Sequence, residues 1–311
     1  MHRIARLVLF APLVAAQTPK TRVFYFPKPL QPAPYVAPMK PVHRLADIKA
    51  KHRGRAEWNE LVIADSNTRA AVISAPPGAR VERHLHPDAP KWWVVQQGSI
   101  RFEVERSDGS IETIEARKGS YVFAPERRLH SLEVIGREAA IRFEVTLAHA
   151  TSVYEKPPAE NPPGIEFIPV TLQTGLNLSD VPNEGGGPER LHWNIEDQEK
   201  AHAARSAWTV NVMRKNRVRG NLICGHAKDN PKRRPGDRGH FHADFAEFWI
   251  VMRGRLTWIM EGIPEPLEAA EGDIVYAPPQ TFHAPEFAGD GLACRLTSST
   301  FPAANHIYDA R

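Results

Sequence analysis

Residues 239–254 read GHFHADFAEFWIVMRG, and the spacing of their chemistry-bearing side chains decides how the chain is read. His240 and His242 stand one residue apart. Side chains alternate along a strand, so both imidazoles leave from one face and form a chelating pair. Glu247 follows five positions after His242, an odd offset that one unbroken strand would send to the opposite face. Residues 243–246 therefore read as a turn and EFWIVMRG as the next strand, with Glu247 at its start folded back towards the histidines. Gly254 closes that strand. Further on, GDIVYAPPQTFH places Gly272, Pro278 and His283 on another short strand that ends in a turn, and His283 supplies a third imidazole. Three neutral imidazoles and one carboxylate, with open positions left over, suit one divalent transition metal: iron, manganese, copper, nickel, cobalt or zinc.

HxH, four residues, Glu, six residues, Gly resembles the first motif of the cupins; Gly, five residues, Pro, then His five positions later resembles the second. The resemblance implies a small antiparallel jelly-roll barrel in which His240, His242, Glu247 and His283 bind the metal. Arg234 and Gln280 stand where the family's motifs usually have glycine, and neither position carries a ligand.

The first half of the chain repeats this plan. Gly78, His84, His86 and Gly98 have the spacing of the first motif, and Gly119, Pro125 and His130 that of the second. His84 to His240 and Gly98 to Gly254 are each 156 positions; Gly119 to Gly272 and His130 to His283 are each 153. The three-residue change falls between the motifs, where residues 107–110 read as a hairpin turn. Such self-similarity predicts an all-β bicupin, two tandem barrels. The halves differ in chemistry, because Lys91 stands where the second half has Glu247. An ammonium repels a divalent cation. His84, His86 and His130 are thus a candidate second metal site, since some cupins use three histidines alone; a barrel kept for structure is the alternative. Asp88 has the wrong spacing to replace the missing carboxylate. Of Trp92 and Trp93, one must face inwards and the other outwards.

The 311 residues, 42% hydrophobic and 24% charged, fit globular material of about two domains. MHRIAR, the apolar run LVLFAPLVAA and the small Ala15 and Ala16 follow the plan of a secretory signal peptide, which predicts export to the periplasm or the extracellular space. No stretch is long enough to span a bilayer. Loss of Arg3 and Arg6 lowers the formal charge from +4 to +2, which argues against nucleic acid as a partner. Cys224 and Cys294 leave two readings open, one disulfide or two buried thiols. The expected organisation is a signal peptide at 1–16, a proline-rich arm and short helix at 17–55, an N-terminal barrel at 56–150, a linker at 151–207 and a C-terminal barrel at 208–311. The arm, with Phe24, Tyr25, Phe26 and Tyr35, is expected to pack along a barrel or across a neighbouring subunit of a homo-oligomer. In the linker, IEFIPVTL reads as a strand and DQEKAHAARSA as a helical turn or two.

Around the second site, the loop 227–239 carries Lys228, Lys232, Arg233, Arg234 and Arg238, and leads into the histidine strand. Cations there would draw an anionic ligand to the mouth. Trp249 shares a face with Glu247, and Trp249, His226, Arg238 and Tyr276 are the candidate pocket residues. The sequence names no catalytic acid or base. The expected function is a metal-dependent, dioxygenase-like oxidoreductase acting on a small, carboxylated molecule in the C-terminal barrel. A non-catalytic binder of a sugar or small acid is the alternative, and the resemblance also implies decarboxylases, isomerases and lyases, among which fold does not choose.

Overall fold

The computed structural model describes residues 23–158, 163–172, 190–215, 218–300 and 305–309. The candidate signal peptide and much of the linker's middle lie outside them. The first half begins with β1 (Val42–His43) and α1 (Leu45–Lys51). It continues with β2 (Trp58–Ala64), β3 (Thr68–Ala75), β4 (Arg80–Leu85), β5 (Lys91–Gln97), β6 (Ser99–Glu105) and β7 (Ile111–Arg117). It closes with β8 (Ser120–Ala124), β9 (His130–Ile135), β10 (Ala140–Leu147) and β11 (Val153–Tyr154). The second half repeats the order: β12 (His192–Asn194), α2 (Ile195–Ala201), β13 (Trp208–Lys215), β14 (Val218–Gly225), β15 (His240–Phe241) and β16 (Glu247–Arg253). Then come β17 (Arg255–Met260), β18 (Ile263–Ala270), β19 (Ile274–Ala277), β20 (His283–Ala288), β21 (Ala293–Ser299) and β22 (Ile307–Tyr308).

Each half folds into two facing antiparallel sheets. The first barrel has the orders β12-β8-β5-β10-β3-β2 and β11-β4-β9-β6-β7; the second has β1-β19-β16-β21-β14-β13 and β18-β17-β20-β15-β22. Two strands are therefore exchanged: β1, which precedes the first barrel, pairs with β19 of the second, and β12 pairs with β8 of the first. The helices follow their strands across. The Leu45 amide donates to Asp273 Oδ1 at 2.9 Å, and the Ile195 amide to the Gly119 carbonyl at 3.0 Å. Gly119 and Gly272, both at positive φ, leave room for these helices: a Cβ would stand 2.4 Å from Ile195 Cγ2 or 2.6 Å from Leu45 Cδ2. After each helix a histidine stacks on the tryptophan that opens the next barrel, His52 on Trp58 and His202 on Trp208.

KWWVV and EFWIVM are continuous apolar runs because both faces of β5 and β16 are covered. Trp93 and Trp249 face their barrel interiors, while Trp92 stacks on Phe248 across the two barrels with centroids 6.5 Å apart. Phe143 meets the same Phe248 ring edge-on. Burying such rings is among the larger apolar contributions a side chain makes.

The arm packs along the second barrel. Phe26 meets Phe241, Lys28 pairs with Glu261 at 2.8 Å, and Tyr35 donates to the Tyr276 carbonyl at 3.1 Å. Cys224 and Cys294 are register partners in β14 and β21 and form a disulfide, which decides between the two readings of the cysteines. The strand expected at IEFIPVTL is a correction: residues 165–172 pair with no sheet, and Ile165, Ile168 and Val170 are exposed. Pro169 removes an amide donor in the middle of the run. Among the described residues no helix is long and apolar enough to cross a membrane.

Candidate metal centres

The second-barrel site is built at one end of its sheets. His240 opens β15 opposite its register partner His283, the first residue of β20. His242 lies just past β15, and bends at 243–245 return the chain so that Glu247 starts β16 beneath the imidazoles. The Gln280 amide, at φ 61°, donates to the His242 carbonyl at 2.7 Å and so ties the His283 loop to the HxH segment. Gln280 holds the left-handed conformation where the family motif has glycine, and Arg127 does the same in the first barrel, its amide 2.8 Å from the His86 carbonyl.

Glu247 Oε2 lies 3.2 Å from His242 Nε2, 3.0 Å from His283 Nε2 and 4.0 Å from His240 Nε2, and the carboxylate is only 4% exposed. Burial alone would raise its pKa; hydrogen bonds from His242 and His283 and their nearby charge outweigh this and hold it well below the usual carboxylate range. Burial and the neighbouring His283 lower His240 to about 3. The Nδ1 atoms of His242 and His283 lie 2.9 Å from the carbonyls of Asn305 and Thr281. A carbonyl only accepts, so each Nδ1 carries a proton, and each Nε2 is the atom turned towards Glu247; release of the Nε2 proton that binds the carboxylate leaves the lone pair a metal needs. Asn305 belongs to a strap at the chain's end, in which β22 pairs with β15 and sets His306 4.4 Å from the His240 ring and 5.0 Å from that of His242.

The first barrel repeats the arrangement with one exchange. His84 and His130 are register partners, and Nδ1 of His84, His86 and His130 donates to the carbonyls of Glu82, Thr151 and Arg128 at 2.7, 3.0 and 3.0 Å. β11 is the matching strap, pairing Tyr154 with His84 as β22 pairs Tyr308 with His240. Lys91 does not point a bare ammonium at the histidines. Its Nζ is 2.8 Å from Glu144 Oε1, and Glu144 Oε2 accepts from Arg142 Nε at 3.0 Å and Trp93 Nε1 at 2.9 Å. Burial raises the Glu144 pKa, but Lys91 and Arg142 outweigh it and keep the carboxylate ionised. The second barrel has Thr297 at the place of Glu144. One carboxylate is thus present in each interior, on a different strand.

Both groups fit a divalent transition metal. The ligand atoms of His240, His242, Glu247 and His283 lie within 4.8 Å of one another, as do those of His84, His86 and His130. Nε2 of His86, His130 and His240 is buried with no hydrogen-bond partner, a cost that a shared cation removes.

The four candidate pocket residues fare differently. Trp249 walls the site, its ring centroid 5.0 Å from that of His283. Tyr276 is a correction: its register partner is Phe248, so it faces the first barrel, and its hydroxyl donates to Asp65 Oδ2 at 2.9 Å. The Arg238 guanidinium bonds Asp309 at 2.7 Å and Glu261 at 3.3 Å and lies over Phe282, the residue before His283. His226 caps a 3-10 turn, Ala227–Asp229, whose neighbour Asn230 bonds the Phe287 main chain, well along β20 from His283. In the cationic loop, Arg233 is paired with Glu286. Glu144, Thr151, Asn305 and His306 escaped the sequence reading; the charges at Arg142 and Glu144, two apart on an apolar strand, were the available signal for the first.

A cupin-domain family model matches residues 71–146 and 231–300. Oxalate decarboxylase OxdC of Bacillus subtilis is 30% identical over 97 residues, 29% of this chain and 25% of that relative's length. The chain therefore spans a quarter of the curated relative it matches. Solved structures of the same Bacillus subtilis enzyme have the same fold. A mutant with residues 161–164 replaced covers 90% of this chain and 81% of its own at 15% identity and a TM-score of 0.54. The form studied for its Mn(II) centres has 16% identity, the same coverage and a TM-score of 0.52. With two cupin domains in tandem and the fold of a duplicated jelly-roll barrel, the chain is a bicupin of the cupin superfamily.

Proposed function

We propose that the second barrel is the catalytic one and that this bicupin decarboxylates a small carboxylic acid with a divalent transition metal held by His240, His242, Glu247 and His283. The observation that carries the reading is Glu247, a buried carboxylate set among three imidazole nitrogens, two of whose rings the main chain holds by Nδ1. A metal bound there would supply Lewis-acid stabilisation of an oxygen-bearing ligand. The protein's own part is to hold the His242 and His283 imidazoles by their Nδ1 atoms, wall the cavity with Trp249 and present the exposed His306 at the mouth. The likeness to an oxalate decarboxylase supports decarboxylation as the reaction. Oxidation by dioxygen is the second reading, favoured by an all-protein set of three nitrogens and one oxygen suited to redox-active iron or manganese. The pattern of residues 1–16 and the Cys224–Cys294 disulfide support an exported enzyme.

The test is to load the protein with manganese or iron, supply oxalate and other small acids, and follow carbon dioxide release together with oxygen uptake. Carbon dioxide without net oxygen uptake is expected, abolished in Glu247→Ala and retained in His84→Ala. Oxygen consumption in step with turnover would establish the second reading. A protein that binds metal at the second barrel and turns over none of the acids would end the decarboxylase reading.

A further inference from the structure

The two barrels place an arginine at the same interior position, Arg142 on β10 and Arg295 on β21, 153 residues apart. Their surroundings differ. In the second barrel the ring of Phe287 lies against the Arg295 guanidinium, with Cζ 5.4 Å from its centroid. Gly225 makes room for that ring, since a Cβ there would stand 2.6 Å from it. In the first barrel the matching positions are Val134 and Ala75. No aromatic ring replaces Phe287, and a cleft of about 570 Å³ opens instead, at the start of β4 and thus away from the histidines at its end.

Arg142 lines this cleft, together with Ser74, Trp58, Leu132 and the small Ala75 and Ala79. The residue is 5% exposed, and its Nη1 is buried with no hydrogen-bond partner. Its Nε is held by Glu144, which fixes the guanidinium in place before any ligand arrives. Lys91 shares that carboxylate, so the buried group of two cations and one anion keeps one positive charge in excess. A rigid guanidinium with one unpaired nitrogen, on a residue that lines the cleft, calls for a planar anion. Trp58, Ile73, Val81 and Leu132 form an apolar part of the wall that calls for a hydrocarbon body, while Arg55, Glu57, Asn59 and Arg80 make the rest of the lining polar, and the volume is that of an ordinary small-molecule site.

We propose that the base of the first barrel binds a small carboxylic acid with an apolar body, its carboxylate on Arg142 Nη1 and its body against Trp58 and Leu132. The site is separate from both histidine clusters, and it stands whether or not the second barrel is a decarboxylase.

Benzoate is the probe and benzamide, of the same shape without the charge, its control. Binding to the metal-loaded protein is measured by calorimetry. Benzoate is expected to bind saturably and benzamide at least ~10-fold more weakly, a difference of about 1.4 kcal/mol. Arg142→Gln should weaken benzoate by a similar factor. Because that change also disturbs Glu144, Ala79→Phe is the second variant: it fills the cleft as Phe287 fills the other barrel and leaves Arg142 and its partners untouched. Loss of benzoate binding in Ala79→Phe, with an unchanged circular dichroism spectrum, supports the site. Benzoate binding that survives Ala79→Phe, equal affinity for benzamide, or no saturable binding to the wild type would each overturn it.

Discussion

Lys91 and Glu144 show how one exchange of side chains alters a site without emptying the barrel of charge. Lys91 sits where the second barrel has Glu247, and the carboxylate it needs comes from the adjacent strand β10. Both side chains are largely buried, so removing one partner leaves the other uncompensated in a low-dielectric interior. Lys91→Met is expected to lower stability at pH 7 by ~3 kcal/mol, the scale for breaking a buried pair, read from urea unfolding. A loss below ~1 kcal/mol would mean that Arg142 and Trp93 suffice for Glu144. At this scale the sequence was informative where spacing encodes chemistry. His240, His242, Glu247 and His283 declare themselves because alternation and the turn at 243–246 dictate where they point. Glu144 does not, because its partnership with Lys91, 53 positions earlier, exists only through the register that sets Glu144 beside Trp93. Thr151 and Asn305 are silent for another reason: they act through carbonyl oxygens, which every residue has.

Among the elements, the exchanged strand and helix pairs depend on two close approaches. Gly119 has a φ of 80°, and a Cβ would collide with Ile195 of α2; Gly109 has a φ of 81°, yet a Cβ there meets nothing within 4 Å. Alanine at either position pays the left-handed strain of about 1–2 kcal/mol. Gly119→Ala is expected to cost at least ~1 kcal/mol more than Gly109→Ala, because a methyl group at 2.4 Å forces the helix off the barrel. Equal midpoints in denaturant would show that α2 adjusts freely. The first short helix was legible, a polar LADIKAK run before Gly54 that suits a one-sided contact; the turn expected from DQEKAHAARSA instead begins two residues earlier, at Ile195, and ends at Ala201. Which barrel the helices cover was not legible, since a two-residue strand carries no pattern that names its partner. IEFIPVTL misled because an extended, unpaired chain and a strand share the same alternation.

For the whole molecule, the joint between barrels contains a buried titratable group. His43 lies on β1, in the sheet of the second barrel, and interacts with the main chain of Val62 in the first. Burial, then the charge of Lys40, lowers its pKa from 6.5 to about 4. The folded state therefore holds fewer protons than the unfolded one between these values, and stability must fall as the pH falls. Its contribution is full above pH 6.5 and gone near pH 4, a span worth ~3 kcal/mol. His43→Asn should flatten the stability profile over that window relative to wild type, read from thermal or denaturant midpoints at several pH values. Parallel profiles for the two proteins would remove His43 as a determinant.

The crossing of β1 and β12 gives the molecule the form of a dimer with exchanged arms, joined into one chain. In a true homodimer a mutation appears in both copies at once, so a lysine that cancels one metal ligand would cancel it twice. Joined in one polypeptide, the copies still lend each other a strand and a helix, but each inherits its own changes. That is what allows one barrel to keep Glu247 over an arginine covered by Phe287, while the other carries Lys91 and Glu144 above an open cleft: mutual dependence in folding, independence in chemistry.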